Sequence, residues 1–164
     1  MNIIHGVNRN PPPLPRRLTT VIVEALTAFP VVVVTGARQT GKSTLIHELL
    51  KTPQREYHTL DDIDILERAE AEPDALVSAK APLTFDEIQR SPKLLLAIKR
   101  AVDRDRRPGR LLLSGSANLA LLGRVSESLA GRAVYLTLYP FTHSERLADR
   151  IWAIPLSAAL GAAA

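Results

Sequence analysis

The run Gly36-Ala37-Arg38-Gln39-Thr40-Gly41-Lys42-Ser43 follows the pattern G-x-x-x-x-G-K-[ST], and its surroundings restrict the fold more than any other stretch of the chain. Four consecutive valines, 31–34, precede it, and Leu45, Ile46, Leu49 and Leu50 follow at helical spacing across residues 43–51, with Pro53 closing that helix. An unbroken β-branched run has no polar face to offer water, so it reads as a parallel strand buried on both sides. The glycines let backbone N–H groups turn inward where a Cβ would clash, and the helix beginning near Lys42 aims its positive end at the same point. Together they form a cradle for phosphate oxygens, lined by Gly36, Ala37, Arg38, Gln39, Thr40 and Gly41. Lys42 supplies a point charge for β- and γ-phosphates, Ser43 a hydroxyl for Mg2+, and Thr44 lies beside the α-phosphate in such loops.

The remainder of the 164 residues keeps the same alternation. Residues 10–15 hold four prolines and cannot be helix or central strand, so residues 1–15 read as an extended lead-in. Leu18, Val21, Ile22, Ala25 and Leu26 mark an amphipathic helix that Pro30 stops. A short strand is expected at 57–60, helices at 63–71 and 74–79 on either side of Pro73, and an apolar strand at 83–85. Leu95, Ile98 and Val102 mark a helix over 94–102; the Pro108-Gly109 pair turns the chain into a strand at 111–113, and a helix at 125–129 leads to a strand at 133–138. Five strands alternating with helices predict a right-handed, mostly parallel α/β sheet built from residues 16–140. Beyond Pro140 only a short amphipathic stretch, 144–151, and an Ala/Leu-rich tail remain, so 141–164 reads as a short C-terminal helix and tail.

Composition removes several classes. With no cysteine, a disulfide scaffold, an iron–sulfur protein and a thiolate zinc site are excluded. No apolar run approaches the ~20 residues that cross a bilayer, and residues 1–10 carry no apolar core behind a basic start. The expectation is a cytoplasmic protein without a membrane partner. The net charge of +4 is unevenly spread: residues 61–90 hold nine acids against three bases, and 91–150 hold eleven bases against five acids. That asymmetry excludes a general basic coat. Five arginines between 100 and 110 surround a predicted helix end, either as a solvated terminus or as a nucleic-acid contact. His5, His47, His58 and His143 show no metal-ligand spacing.

A second signal is Leu83-Thr84-Phe85-Asp86-Glu87, an apolar strand that delivers two adjacent carboxylates to its C-terminal end and resembles a Walker B element. Ligands of open α/β sheets bind at that edge, so Asp86 is placed to reach Mg2+ through water and Glu87 to take a proton from an attacking water. The competing reading makes the two acids the N-cap and first turn of the next helix. Downstream, 111–118 is a strand ending in small polar residues, among which Ser116 is the candidate to contact the γ-phosphate or the water; an ordinary Ser-Gly-Ser loop is the alternative. Arg132 precedes the last strand and is placed to act as an arginine finger on a neighbouring subunit's nucleotide, or to be a solvated residue after a helix-ending Gly131.

These motifs occur in a fixed order: V-T-G-A-R-Q-T-G-K-S-T-L (34–45), L-D-D (60–62), D-E-I-Q-R-S-P-K-L-L (86–95), L-S-G-S-A (113–117) and S-L-A-G-R (128–132). The combination resembles a family of prokaryotic AAA+-type P-loop ATPases over residues 16–145. The resemblance implies a five-stranded sheet of order 5-1-4-3-2, ATP with Mg2+ as cofactors, and Glu87 as the water-activating acid. Members of that family continue through a helical lid to a C-terminal effector domain, for which residues 141–164 leave no room, so the chain is expected to be a truncation or frameshift product rather than a minimal form. The leading expectation is an ATP-binding domain that hydrolyses ATP weakly or only as a homo-oligomer. A non-hydrolysing nucleotide-binding module or remnant is the second reading and a small P-loop kinase the third, with nucleic acid entering only through the arginine cluster.

Overall fold

The computed structural model describes residues 16–49, 55–116 and 129–141. Five parallel strands form one sheet: β1 (Val31–Gly36), β2 (Glu56–Thr59), β3 (Leu83–Asp86), β4 (Leu111–Ser116) and β5 (Ala133–Thr137), in the spatial order β2-β3-β4-β1-β5. Counted from the other edge this is the expected order 5-1-4-3-2. The helices are α1 (Arg17–Ala28), α2 (Lys42–Thr44), α3 (Ile63–Ala71), α4 (Pro73–Leu76) and α5 (Pro92–Arg104). Among the described residues no helix is long and apolar enough to cross a membrane.

The valine run is apolar throughout because both of its faces are covered. Val31 and Val33 pack with Leu111, Leu113, Phe85 and the α5 residues Leu94, Ile98 and Val102. Val32 and Val34 face the opposite way, onto Ile22 and Leu26 of α1, Leu45, Ile46 and Leu112. The period of two along the strand divides one continuous run between two cores, which is why alternation is invisible in the sequence. Each fully buried Val or Leu contributes about 1.5–3 kcal/mol over its exposed state. Helix α5 begins where Ser91 accepts a hydrogen bond from the Leu94 N–H (3.2 Å) and Pro92 occupies the first turn. Ser91, and not Asp86 or Glu87, therefore caps this helix.

Most boundaries shift by one to three residues from expectation, as where the helix expected at 74–79 is Pro73–Leu76 and the one at 94–102 is Pro92–Arg104. Strands β1 and β4 continue past their apolar runs, pairing Thr35 with Gly115 and Gly36 with Ser116, because backbone ladders need no apolar side chains and small residues fit between the loops. The helix after the glycine loop is α-helical only over Lys42–Thr44 and continues as a π-helix over Leu45–Leu49. Apolar spacing across so few residues does not separate i→i+4 from i→i+5 bonding. The predicted helix at 125–129 lies outside the described residues except for Leu129, and the stretch 144–151 lies wholly outside them.

Two arginines, Arg55 half-buried and Arg110 buried, donate to backbone carbonyls beside the sheet. Arg55 precedes edge strand β2 and donates to Thr84 Oγ1 (3.0 Å) and to the carbonyls of Leu83 (2.7 Å) and Gly109 (2.7 Å); burial lowers its pKa to about 10, so it stays charged at neutral pH. Arg110 donates to the Ala101, Asp105 and Val77 carbonyls, closing the end of α5. Of the five arginines at 100–110, four are committed to acids or carbonyls: Arg100 to Asp74, Arg106 to Asp103, Arg107 to Asp105, and Arg110 as above. Replacing Arg55 by Met removes a charged donor from the backbone carbonyls of Leu83, Gly109 and Arg110 and is expected to lower the unfolding free energy by about 2–3 kcal/mol in urea denaturation; a loss below about 0.5 kcal/mol would mean that these carbonyls regain water freely.

Candidate functional site

Every strand is parallel, so all C-terminal ends open on one edge, and three neighbouring strands deliver the candidate residues there. From β1 the chain enters the glycine loop. Gln39 (φ 62°) and Gly41 (φ 86°) take the left-handed conformation, the backbone in which successive N–H groups turn toward one side and bind anions. Gly41 reaches it without Cβ strain. The loop is braced from within: Thr40 Oγ1 donates to the Ala37 carbonyl (2.9 Å), and buried Lys42 Nζ donates to the carbonyls of Gly36 and Ala37 (both 2.9 Å). Arg16, also buried, donates to the Thr40 carbonyl (3.0 Å) and the Tyr139 carbonyl, with the Phe141 ring 3.9 Å from its guanidinium carbon. The start of α1 and the chain after β5 thus grip the loop together. Ala37, Arg38, Gln39, Ser43 and Thr44 are exposed.

From β3 comes Asp86, only 1% exposed. Its Oδ1 accepts from Ser114 Oγ of β4 and from the Glu87 N–H (3.0 Å), and its Oδ2 accepts from Tyr57 Oη of β2 (3.1 Å). A carboxylate has about four acceptor sites, so three donors fix its plane and leave capacity for one further partner. Tyr57 in turn is held protonated: burial first, and Asp86 second, push its pKa far above the usual tyrosine range.

Glu87 differs from its neighbour in every respect. It is half-buried and sits in the left-handed region (φ 54°), an uncommon conformation for a residue with a side chain and one found at functional sites. The 3-10 turn Ile88–Arg90 follows at once, and Gln89 Nε2 donates to Glu87 Oε2. Glu87, Gln89 and Ser116 share a cavity of about 540 Å³ with Arg38 and Gln39 of the loop and with Asp61 and Arg90, which are themselves ion-paired at its rim. The structure therefore brings Arg38, Gln39, Glu87 and Ser116 to one cavity, with Lys42 and Asp86 buried in the loop and strand that border it. Within 114–118, Ser114 is committed to Asp86 and Ser116 faces the cavity, while residues 117 and 118 lie outside the described residues. His58 stacks on Phe85 and His47 meets Tyr57 edge-on.

Arg132 is not at this edge. It precedes Ala133, which pairs with Val31 at the start of β1, so a strand of about 3.3 Å per residue separates it from the loop of its own chain. Its Nε donates to Asp103 Oδ1 of α5 (2.6 Å) and one terminal nitrogen to the Ala130 carbonyl (2.9 Å), and the guanidinium holds Asp103 below the usual carboxylate range. The sequence reading did not single out Tyr57, Arg16 or the Asp61–Arg90 pair; Gln89 stood inside the D-E-I-Q string without a role.

A family model described as an AAA domain matches residues 28–147. The chain belongs to this AAA domain family. Uncharacterized proteins of Mycobacterium tuberculosis and Mycobacterium bovis are each 38% identical to the AAA domain over 132 residues, which is 78% of this chain and 30% of theirs. The chain thus spans less than a third of the length of these curated relatives. Among solved structures, the Walker-type ATPase of Pyrococcus abyssi matches with a TM-score of 0.59 and 16% identity over 83% of this chain and 56% of its own. The RuvB Holliday junction branch migration motor of Thermotoga maritima matches with a TM-score of 0.51 and 20% identity, over 78% and 46% respectively. At such identities the likeness shows the fold, that of a P-loop ATPase. With the family it makes this chain a nucleotide-binding, ATPase-like AAA domain.

The Tyr57–Asp86 bond carries a pH signature. A phenol whose pKa is raised by folding favours the native state below the unfolded tyrosine value and withdraws that stability as pH rises above about 10. Tyr57→Phe is therefore expected to flatten the fall in unfolding free energy above about pH 10, measured by urea denaturation across pH. Equal slopes in the two proteins would contradict the assignment.

Proposed function

We propose that this AAA domain binds ATP and hydrolyses it by attack of water on the γ-phosphate, with Glu87 as the general base. The observation that carries the reading is the shared cavity, where Arg38 and Gln39 of the phosphate loop meet Glu87 and Ser116 from two neighbouring strands. In this reading the loop from Gly36 to Gly41 holds the phosphate oxygens through its N–H groups, Lys42 contacts the β- and γ-phosphates, and Thr44 lies beside the α-phosphate. Water oxygen bonds to the γ-phosphorus while the bond to the β–γ bridging oxygen breaks. The water's proton passes to Glu87, and ADP and inorganic phosphate leave. Ser116 orients the water or the γ-phosphate.

Mg2+ fits the residues present. Among the described residues no three or more His, Cys, Asp or Glu gather to cage a metal, and Mg2+ needs no such cage, since it keeps most of its waters and takes one or two protein oxygens beside phosphate. Ser43 would be one such ligand, and Asp86 would hold a water of the ion through its remaining acceptor site. The ion would neutralise charge on the β- and γ-oxygens.

Glu87→Gln is expected to cut phosphate release without added acceptor by about 100-fold or more, with ATP affinity retained. Unchanged release would remove Glu87 from the chemistry. ATP binding with no release from the unsubstituted chain at any concentration would instead select a binding module, and ADP formed only with an added acceptor that takes up the phosphoryl group, without free phosphate, a kinase.

At the opposite end of the sheet from its own loop, Arg132 is assigned a role in trans within a homo-oligomer. Turnover per chain is expected to rise with protein concentration, and an equimolar mixture of Glu87→Gln and Arg132→Ala proteins to exceed either alone, because the first lends its arginine to the intact site of the second. A mixture no more active than its components would confine Arg132 to its pair with Asp103.

A further inference from the structure

We propose that Gln89 is a positioning residue that sets the direction of the Glu87 carboxylate, and that Gly115 occupies the end of β4 because only a residue without a side chain leaves room for it. The inference rests on the hydrolytic reading of Glu87 given above.

The backbone of Glu87 is fixed at both of its hydrogen-bonding groups. Its N–H donates to Asp86 Oδ1 (3.0 Å), and its carbonyl accepts from the Arg90 N–H (3.0 Å) that closes the 3-10 turn. What remains to be set is the side chain, which carries the reacting oxygen. The turn swings Gln89 back so that its Nε2 donates to Glu87 Oε2. The amide is oriented this way round by chemistry: reversed, it would place its own oxygen against a carboxylate. With Oε2 tethered, Oε1 is the oxygen left to meet a water.

Gly115 makes this arrangement possible. A Cβ at position 115 would stand 2.6 Å from Gln89 Oε1, inside any contact that real Cβ atoms make, and the Ile88 side chain bounds the same niche at 3.6 Å. The amide is thus wedged between the floor of β4 and the carboxylate, where its Oε1 is buried without a hydrogen-bond partner among the described residues. A buried carbonyl oxygen left unpaired is a local cost, and such costs persist where the surrounding structure holds a group for another purpose. Both Gln89 and Glu87 line the cavity that the phosphate loop enters, so the tether acts beside the proposed reaction and needs no contact with the reacting atoms. The glycine of the Ser-Gly-Ser run gains a role that its flanking serines do not share: Ser114 and Ser116 project from one face of β4 and Gly115 from the other.

Three variants test this in the full chain: Gln89→Leu, which removes the donor; Gln89→Asn, which keeps an amide but withdraws it by one methylene; and Gly115→Ala, which intrudes on the niche. Each is expected to lower kcat for phosphate release about tenfold or more while KM for ATP changes less than about twofold, because misplacing a base costs rate and not affinity. Urea midpoints separate this from loss of fold. The second readout needs no turnover: the side-chain amide signal of Gln89 in a nitrogen–proton NMR spectrum, identified by its loss in Gln89→Leu, is expected to move in Glu87→Gln and in Gly115→Ala. A kcat unchanged or raised in Gln89→Leu overturns the proposal, as does an amide signal indifferent to Glu87→Gln. If the unsubstituted chain releases no phosphate, the hydrolytic role of Glu87 fails, and with it the catalytic purpose of the tether, while the NMR signal still decides whether the tether exists.

Discussion

Strand β1 is the constraint on which the other elements depend. A valine run buried on both faces must be flanked by hydrogen-bonded strands at its edges and by helices above and below, and the structure supplies β4 and β5 beside it and α1 and α5 across its faces. Because both neighbours are parallel to it, the edge at which β1 ends is the edge at which Asp86 and Ser116 also emerge. The same geometry sends Arg132 to the far end. A single decision about burial therefore gathers the glycine loop and the two acids, and separates them from Arg132, which pairs with Asp103 at the opposite end of the sheet.

The two adjacent carboxylates illustrate how environment divides roles. Asp86 is almost wholly buried and takes donors from β2, from β4 and from the Glu87 N–H just past β3, so it stiffens the sheet edge. Glu87 is turned out of the strand by a left-handed backbone and held by one side-chain amide. An acid fixed by three donors suits a fixed charge, and an acid fixed at one oxygen suits proton transfer.

The arginine-rich composition takes on a structural meaning as well. Arg16 and Arg110 are buried and Arg55 half-buried, and all three spend their donors on backbone carbonyls at places where loops meet the sheet. A planar guanidinium satisfies several carbonyls from one side chain, a task that the point charge of lysine performs less well. The positive balance read from composition is thus partly internal, and much of the 100–110 cluster is neutralised by Asp74, Asp103 and Asp105.

The alternation of strands and helices, the parallel sheet and the glycine loop were legible in the sequence because each is written in local spacing: β-branched runs, apolar residues every third or fourth position, glycines at fixed separations. The strand order came with the resemblance to a family and not from spacing. Side-chain partnerships were not legible. Tyr57 and Asp86, Gln89 and Gly115, and Arg16 and Tyr139 are joined across the fold, and nothing in their neighbours announces the pairing. The residues of β4 show the limit well, since Ser114 and Ser116 look alike in a Ser-Gly-Ser run, yet one is spent on Asp86 and the other faces the cavity. By itself the sequence determined which segments become strands and helices and where the glycine loop lies, because hydrophobic burial and backbone conformation are set by neighbours along the chain. Only the tertiary structure decided which polar groups hold the two acids, because a hydrogen bond is satisfied by proximity in space.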